Sequence, residues 1–272
     1  MKKLEELFKK EGAPLFFIMG PCVIEDEATT LKTLEGLLKV TEDLGVPFVF
    51  KTSYDKANRT SLNSYRGPGL EKGLEVLRKA KLEYPEVPLL TDVHCRSEVG
   101  EVASVVDIIQ IPAFLCRQTN LIVEAALTEK VINIKKGQFM APGDIRHSVE
   151  KVLSTGNDRI IITERGVSFG YNNLVVDFRA FPVMRALGFP VVFDATHSVQ
   201  SPGGMGTSSG GDRTMARYLA RAAAGCGVDG FFMEVHPDPE KALCDGPNSI
   251  ALKDVKEFIE EITEIDQVVR KA

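Results

Sequence analysis

The sequence predicts an α/β fold, a (β/α)8 TIM barrel forming a single domain over residues 1–272 with a short N-terminal extension over 1–12. Three observations lead there. Eight short runs rich in β-branched and aromatic residues alternate with longer stretches of helical periodicity. No linker rich in Pro, Gly or Ser divides the chain, and closing eight βα units into a barrel removes both edges of the sheet. The length of 272 residues exceeds the usual domain of about 100–200 but suits such a barrel, for which roughly 250 is typical.

An extra helix is expected over 2–10, before the barrel begins. The first strand is expected over 15–19, an unbroken apolar run, and helical spacing follows over 27–44. The second unit joins a strand over 48–52 to a helix over 70–83. The third has its strand over 89–93, and the segment from there to 108 carries the weakest helical pattern. Strands over 108–111, 131–135, 160–164, 191–194 and 230–234 then alternate with helices over 119–127, 145–153, 176–187 and 214–224, and a helix over 252–269 closes the chain. No strict repeat or low-complexity segment is present.

Composition narrows the function. Hydrophobic residues at 44% and charged residues at 26% fit a soluble globular protein rather than a disordered, collagenous or coiled-coil chain. A net charge of -5 argues against broad binding of nucleic acid or anionic lipid, so an anionic ligand needs a local basic pocket. The apolar stretch 13–20 is too short to span a bilayer. Lys2 and Lys3 precede it, but Glu5, Glu6, Glu11 and Pro14 break the pattern of a signal peptide. Five cysteines, at 22, 95, 116, 226 and 244, form an odd set without CxxC spacing, as in a reducing compartment. These features place the chain in the cytoplasm, with no nucleic-acid or membrane partner.

The chemistry of a (β/α)8 barrel sits at the C-terminal strand ends and the loops beyond them. Two groups of residues fall there. Lys51, Lys56, Arg59, Arg117, Lys135 and Arg165 are expected to converge on one mouth, where like charges repel unless anions fill it. The implied ligands carry phosphate or carboxylate. Cys22, His197, Glu234 and Asp245 form a candidate metal site, because strands one, seven and eight become neighbours on closure. Thiolate with imidazole suits zinc or iron(II), and carboxylates extend this to manganese. His94 and His236 are rival ligands, and Cys22 also reads as a small buried hydrophobe. The glycine-rich stretch 201–211 lacks the spacing of a P-loop and reads as a lid over the mouth rather than a phosphate cradle.

Several long motifs resemble a known family. Lys56-Ala57-Asn58-Arg59-Thr60-Ser61, Ile109 to Thr119, Lys135-Lys136-Gly137-Gln138-Phe139, Phe169 to Asp177, Asp194 to Gln200 and Glu234 to Pro239 are similar to 3-deoxy-D-manno-octulosonate 8-phosphate (KDO8P) synthase. The resemblance covers nearly the whole chain. It implies a homotetrameric transferase that condenses phosphoenolpyruvate with arabinose 5-phosphate and water, releases phosphate, and serves lipopolysaccharide biosynthesis. The sister family making DAHP from erythrose 4-phosphate usually has a Pro-Arg pair where this chain has Ala57-Asn58-Arg59, which favours the five-carbon sugar.

The resemblance also implies roles. Lys51, Ser53 and Lys56 would hold the phosphoenolpyruvate carboxylate, and Lys135, Arg165 and the backbone near Ala113 its phosphate. Asn58, Arg59 and Thr60 would hold the sugar phosphate, with Arg117 reaching in from a neighbouring subunit. Asp92 and Gln110 would line the reacting region, and Lys56, Asn58, Asp92 and His197 would be catalytic. Cys22 resembles the metal-dependent branch, with zinc, iron(II) or manganese on Cys22, His197, Glu234 and Asp245. Cys244-Asp245-Gly246 resembles the metal-independent branch instead. Two other readings stay open on the residues: a Schiff-base aldolase using Lys135, and a non-catalytic barrel that binds sugar phosphates.

Overall fold

In the computed structural model the described residues are 4, 13–202 and 210–271. Apart from residue 4, the helix expected over 2–10 lies outside them, as does the centre of the glycine-rich stretch, 203–209. Eight parallel strands pair in chain order: β1 (Phe16–Gly20), β2 (Phe48–Lys51), β3 (Leu89–Asp92), β4 (Ile108–Ile111), β5 (Val131–Lys135), β6 (Ile160–Glu164), β7 (Val191–Asp194) and β8 (Gly230–His236). β8 then returns to β1, from Phe16 opposite Gly230 to Gly20 opposite Glu234. The barrel is closed, as the alternation of elements predicts. Gly20 is needed at the closure, since a Cβ there would collide with the Lys51 carbonyl of β2.

The helices α1 (Glu27–Leu44), α2 (Leu70–Glu83), α3 (Val99–Ala103), α4 (Thr119–Leu127), α5 (Arg146–Leu153), α6 (Ala180–Arg185), α7 (Arg213–Gly225) and α8 (Val255–Arg270) follow the strands in turn. Local chemistry sets their ends. The Asp26 carboxylate accepts the Thr29 N–H at 2.7 Å to start α1, and Gly45, left-handed with φ 64°, stops it. None of the described helices is long and apolar enough to cross a membrane.

The structure departs from expectation where short-range contacts intervene. The helix expected over 176–187 shortens to α6, because Leu174–Val175 pairs with Val167–Ser168 and the Asp177 carboxylate accepts the Arg179 N–H at 3.0 Å, turning the chain first. The final helix starts three residues late, after a 3-10 turn over Leu252–Asp254. The weakly patterned segment after β3 yields a 3-10 turn, Arg96–Glu98, and the five-residue α3. β8 runs two residues beyond its expected end because Ile250–Ala251 pairs with Val235 and His236.

Side chains of a strand alternate between two faces, so inward positions recur every second residue. One apolar layer formed by Phe16, Ile18, Val49, Leu90, Ile108, Val131, Ile161, Val192 and Phe232 fills the lower barrel. The next inward position along most strands is polar: Lys51, Asp92, Gln110, Asn133, Thr163, Asp194 and Glu234, all buried. The barrel thus has an apolar floor and a charged upper storey. Phe232 joins them, with its ring centroid 3.7 Å from Lys135 Nζ and 5.4 Å from Lys51 Nζ. Phe232→Ala should lower the unfolding free energy by about 3–5 kcal/mol, measured by chemical denaturation, since it opens a cavity under two buried ammonium groups.

Candidate active site

The upper storey is built on ion pairs. Lys51 Nζ lies 3.0 Å from Glu234 Oε1 and donates to the Cys22 carbonyl at 3.1 Å. Lys135 Nζ donates to Asp194 Oδ2 at 2.5 Å, and the same oxygen accepts from His197 Nδ1 at 2.7 Å. Burial would raise the Asp194 carboxyl, but His197 and Lys135 hold it far below its ordinary range. An ionised Asp194 only accepts, so the proton of His197 sits on Nδ1. Burial, and then Lys135, keep the His197 imidazole below its usual range, hence neutral, and its Nε2 lone pair faces Glu234 Oε1 at 3.4 Å and Asp245 Oδ2 at 3.8 Å.

Across the mouth, Asp92 accepts from Ser53 Oγ at 2.5 Å and contacts His94 Nε2 at 3.0 Å. Burial again works to raise the carboxyl, while His94, Lys56 and Lys51 hold it far below its ordinary range. Asp92 is therefore an anchored anion and a poor general base. Its partners propagate outward: the Glu98 carboxylate accepts from Tyr54 Oη at 2.8 Å and from the His94 N–H at 2.9 Å. Between the two walls, Thr163 Oγ1 donates to Asn133, whose amide donates to Gln110 Oε1 at 3.0 Å. These bonds fix the Gln110 amide toward the mouth.

A cavity of about 280 Å³ opens here, lined by Lys51, Lys56, Asn58, Asp92, His94, Gln110, Ala113, Phe114, Lys135, Gln138, Arg165 and His197. A larger one, about 520 Å³, lies beside the opposite ends of β2 and β3, among Leu38, Phe48, Tyr84 and Pro88, away from every strand-end polar group. The chemistry belongs to the smaller cavity, at the barrel's C-terminal face. Lys51 and Lys135 bring their own counterions. Arg165 holds Gln200 Oε1 at 2.9 Å through one nitrogen, while its buried Nη1 has no partner. Lys56 is buried, which lowers its basicity, yet the Glu234 and Asp92 carboxylates nearby hold it charged. Such a cavity suits a small, multiply anionic ligand.

Beside His197 the four expected metal-site residues are joined by pairwise contacts, although the ligand atoms that lie within 4.8 Å of one another are those of Cys22, Asp245 and a residue outside the expected set, Cys244. Cys22 Sγ is 3.1 Å from Asp245 Oδ2, and Asp245 and Glu234 both face His197 Nε2. Glu234 Oε2 is buried without a partner. Burial, then the Cys244 contact and Asp245, push the Cys22 thiol well above its ordinary range. Asp245, despite burial, is held far below its own by His197, Arg59 and Lys56. Soft sulfur, a neutral imidazole and carboxylates with one unsatisfied oxygen fit a transition-metal donor set. The rival histidines are engaged elsewhere: His94 with Asp92, and His236 with Glu25 at 3.4 Å and the Asp238 N–H at 3.0 Å.

Two expectations are corrected. Arg59 does not line the mouth with the lysines; its guanidinium turns to the Asp245 carboxylate at 3.5 Å and to Cys244 Sγ. Arg117 is exposed and faces a separate depression with Phe139, Asp144, His147 and Lys151, because the 3-10 turn Ala113–Leu115 carries the chain over the rim first. Thr60 is exposed, and Ser53 stands behind Asp92. Sequence reasoning missed Asp194 as the shared counterion, Gln138 as a lining residue, and Cys244, whose sulfur lies 2.6 Å from that of Cys22. The available signal for Cys244 was the Cys244-Asp245-Gly246 motif, which resembles one branch of the family but does not point to a contact with Cys22. At the expected lid, Gln200–Ser201 pairs with Gly210–Gly211, so the stem of the stretch is held at the rim beside Arg165.

The DAHP synthetase I family matches residues 2–271. A 2-dehydro-3-deoxyphosphooctonate aldolase of Geotalea daltonii is 59% identical over 257 residues, 94% of each chain. That of Geobacter sulfurreducens is 58% identical over the same length and shares. One from Desulfatibacillum aliphaticivorans is 59% identical over 261 residues, 96% of this chain and 94% of its own.

The pairing of Lys135 with Asp194 is testable by a mutant cycle. Asp194→Asn should destabilise the protein by about 3–5 kcal/mol, because a buried ammonium loses its counterion. Adding Lys135→Met should restore much of that loss, and thermal unfolding of both variants reads the coupling.

Proposed function

The chain belongs to the DAHP synthetase I family, on its 2-dehydro-3-deoxyphosphooctonate aldolase branch, the KDO8P synthases, and we propose that it condenses phosphoenolpyruvate with arabinose 5-phosphate in a metal-dependent reaction. The observation that carries this reading is the single cavity shared by Lys51, Lys56, Lys135 and Arg165, with Arg165 Nη1 left for a ligand oxygen. Phosphoenolpyruvate bears a carboxylate and a phosphate, and fits four such cations. Its carboxylate would take Lys51 and Lys56, its phosphate Lys135, Arg165 and the backbone at Ala113. The sugar aldehyde would then face carbon 3 near Asp92, Asn58 and Gln110.

The residues act mainly by position and field. Holding enolpyruvate and aldehyde together converts an encounter into an oriented reaction. Negative charge that develops on the aldehyde oxygen meets ammonium groups already placed, so little reorganisation is required. Asp92, too weak a base to take a proton, orients Ser53 and His94 instead. His197, neutral with its proton on Nδ1, offers Nε2 toward Glu234 and Asp245. A zinc, iron(II) or manganese ion held by Cys22, His197, Glu234 and Asp245 would supply Lewis acidity or a water of lowered pKa. Arg117, exposed and outside its own cavity, supports a homotetramer in which it completes a neighbour's sugar-phosphate site. A soluble substrate pair and free cysteines fit the cytoplasm.

Phosphate release is expected to depend on phosphoenolpyruvate and to be faster, by kcat/KM, with arabinose 5-phosphate than with erythrose 4-phosphate; the reverse order would sink the five-carbon assignment. The buried Cys22 thiol is raised above its ordinary range, so it must shed a proton to bind metal. Zinc affinity, measured by competition with a chromophoric chelator, should therefore fall as pH is lowered, and chelation should stop turnover until metal returns. Arg117→Ala should raise KM for the sugar phosphate, a loss of about 1.5–3 kcal/mol for one charge-assisted hydrogen bond. An active monomer in sedimentation would exclude that role.

A further inference from the structure

The contact between Cys22 and Cys244 has no part in the reaction above. The residues are 222 positions apart in sequence, their sulfurs 2.6 Å apart, and both cysteines are free and buried. A disulfide has an S–S length of about 2.05 Å, so bonding needs a movement of roughly half an ångström. The pair is also reachable. A second cleft of about 280 Å³, lined by Arg59, Asn63, Tyr65, Leu243, Cys244 and Asp245, opens beside the loop after β8. It is separate from the reaction cavity, which is lined by other residues. The remaining cysteines are placed differently: Cys116 is buried against Met140 Sδ at 3.1 Å, while Cys95 and Cys226 are exposed.

We propose that Cys22 and Cys244 form a reversible disulfide, driven by a peroxide that enters through this second cleft, and that the bond withdraws Cys22 from the metal site and switches the enzyme off. Cys244 lines the cleft and meets the oxidant first. Its sulfur attacks a peroxide oxygen, forming an S–O bond as the O–O bond breaks, and the leaving oxygen departs with the thiol proton as water or alcohol. Cys22 then attacks the sulfenic sulfur; the S–S bond forms, the S–O bond breaks, and hydroxide takes the second thiol proton as water. Two electrons pass from the two sulfurs to the peroxide. A dithiol reverses the bond by exchange. Metal on Cys22 occupies the sulfur that the second step needs, so the metal-loaded enzyme is protected. The effect on turnover rests on the metal-dependent reading, whereas the pairing itself rests only on the two sulfurs and the cleft.

The test treats metal-free and zinc-loaded protein with hydrogen peroxide, blocks remaining thiols with iodoacetamide, and maps tryptic peptides. The expected product links the peptides 11–32 and 242–253, forms faster without zinc, and disappears on treatment with dithiothreitol. Zinc binding and phosphate release should be lost with its appearance and return with its reduction. The link should persist in a Cys95→Ser/Cys226→Ser variant, and in Cys244→Ser peroxide should oxidise Cys22 to acids that a dithiol does not reverse. The wild-type map alone decides the pairing if Cys244→Ser fails to fold. Recovery of both peptides fully alkylated after peroxide, or links to Cys95 or Cys226 only, would overturn the proposal. A linked pair in an enzyme that keeps its zinc and turnover would overturn Cys22 as a metal ligand and, with it, the switch.

Discussion

One buried carboxylate organises the upper barrel. Asp194 is fully buried, and one of its oxygens serves both Lys135 and His197. Without that charge, Lys135 would sit as an uncompensated ammonium above the Phe232 ring, and burial would favour its neutral form. With it, Lys135 has a counterion that opposes the burial pulling its basicity below the ordinary lysine range. The same contact sets the His197 tautomer and aims its Nε2 at Glu234 and Asp245. A single residue at the end of β7 thus couples the cation-lined half of the mouth to the half that suits a metal.

That coupling explains how the site can be strongly charged and still fold. Four cations around one small cavity would repel, and the protein offsets this with Glu234 beside Lys51, Asp194 beside Lys135, and Asp92 opposite. The compensation is incomplete at Arg165, where one buried nitrogen has no partner. An unsatisfied buried donor is costly, and an anionic ligand would supply what is missing. The geometry is preorganised: Ser53, His94 and Glu98 behind Asp92, and Asn133 with Thr163 behind Gln110, hold the lining groups before any ligand arrives.

The loop after β8 is where two chemistries share one place. Asp245 belongs with His197 and Glu234, whereas its neighbour Cys244 belongs with Cys22 and Arg59. Cys22 takes part in both, since its sulfur touches Asp245 and Cys244. The resemblance of Cys22 to one branch of the family and of Cys244-Asp245 to the other is thus, in space, one cluster.

The sequence by itself determined the architecture, because closure of eight parallel strands requires only their number, their alternation with helices and unbroken hydrophobic runs. Five helices and seven strands begin and end within a residue of expectation, whereas the helix over 176–187 lost its first turn to the pairing of Leu174–Val175 with Val167–Ser168. Strand-end position also identified Lys51, Lys135, Asp92 and Gln110 as cavity residues, since alternation along a strand dictates which side chains point inward, and it placed Lys56, Arg165 and His197 just beyond the strand ends. Only the tertiary structure decided which way the loop side chains turn. Arg59 leaves the mouth for Asp245 and Cys244, Arg117 faces outward, and Cys244 meets Cys22 across 222 residues. Loop side chains follow no period: their direction is set by charge and contact with distant segments, and that information exists only once the barrel has closed.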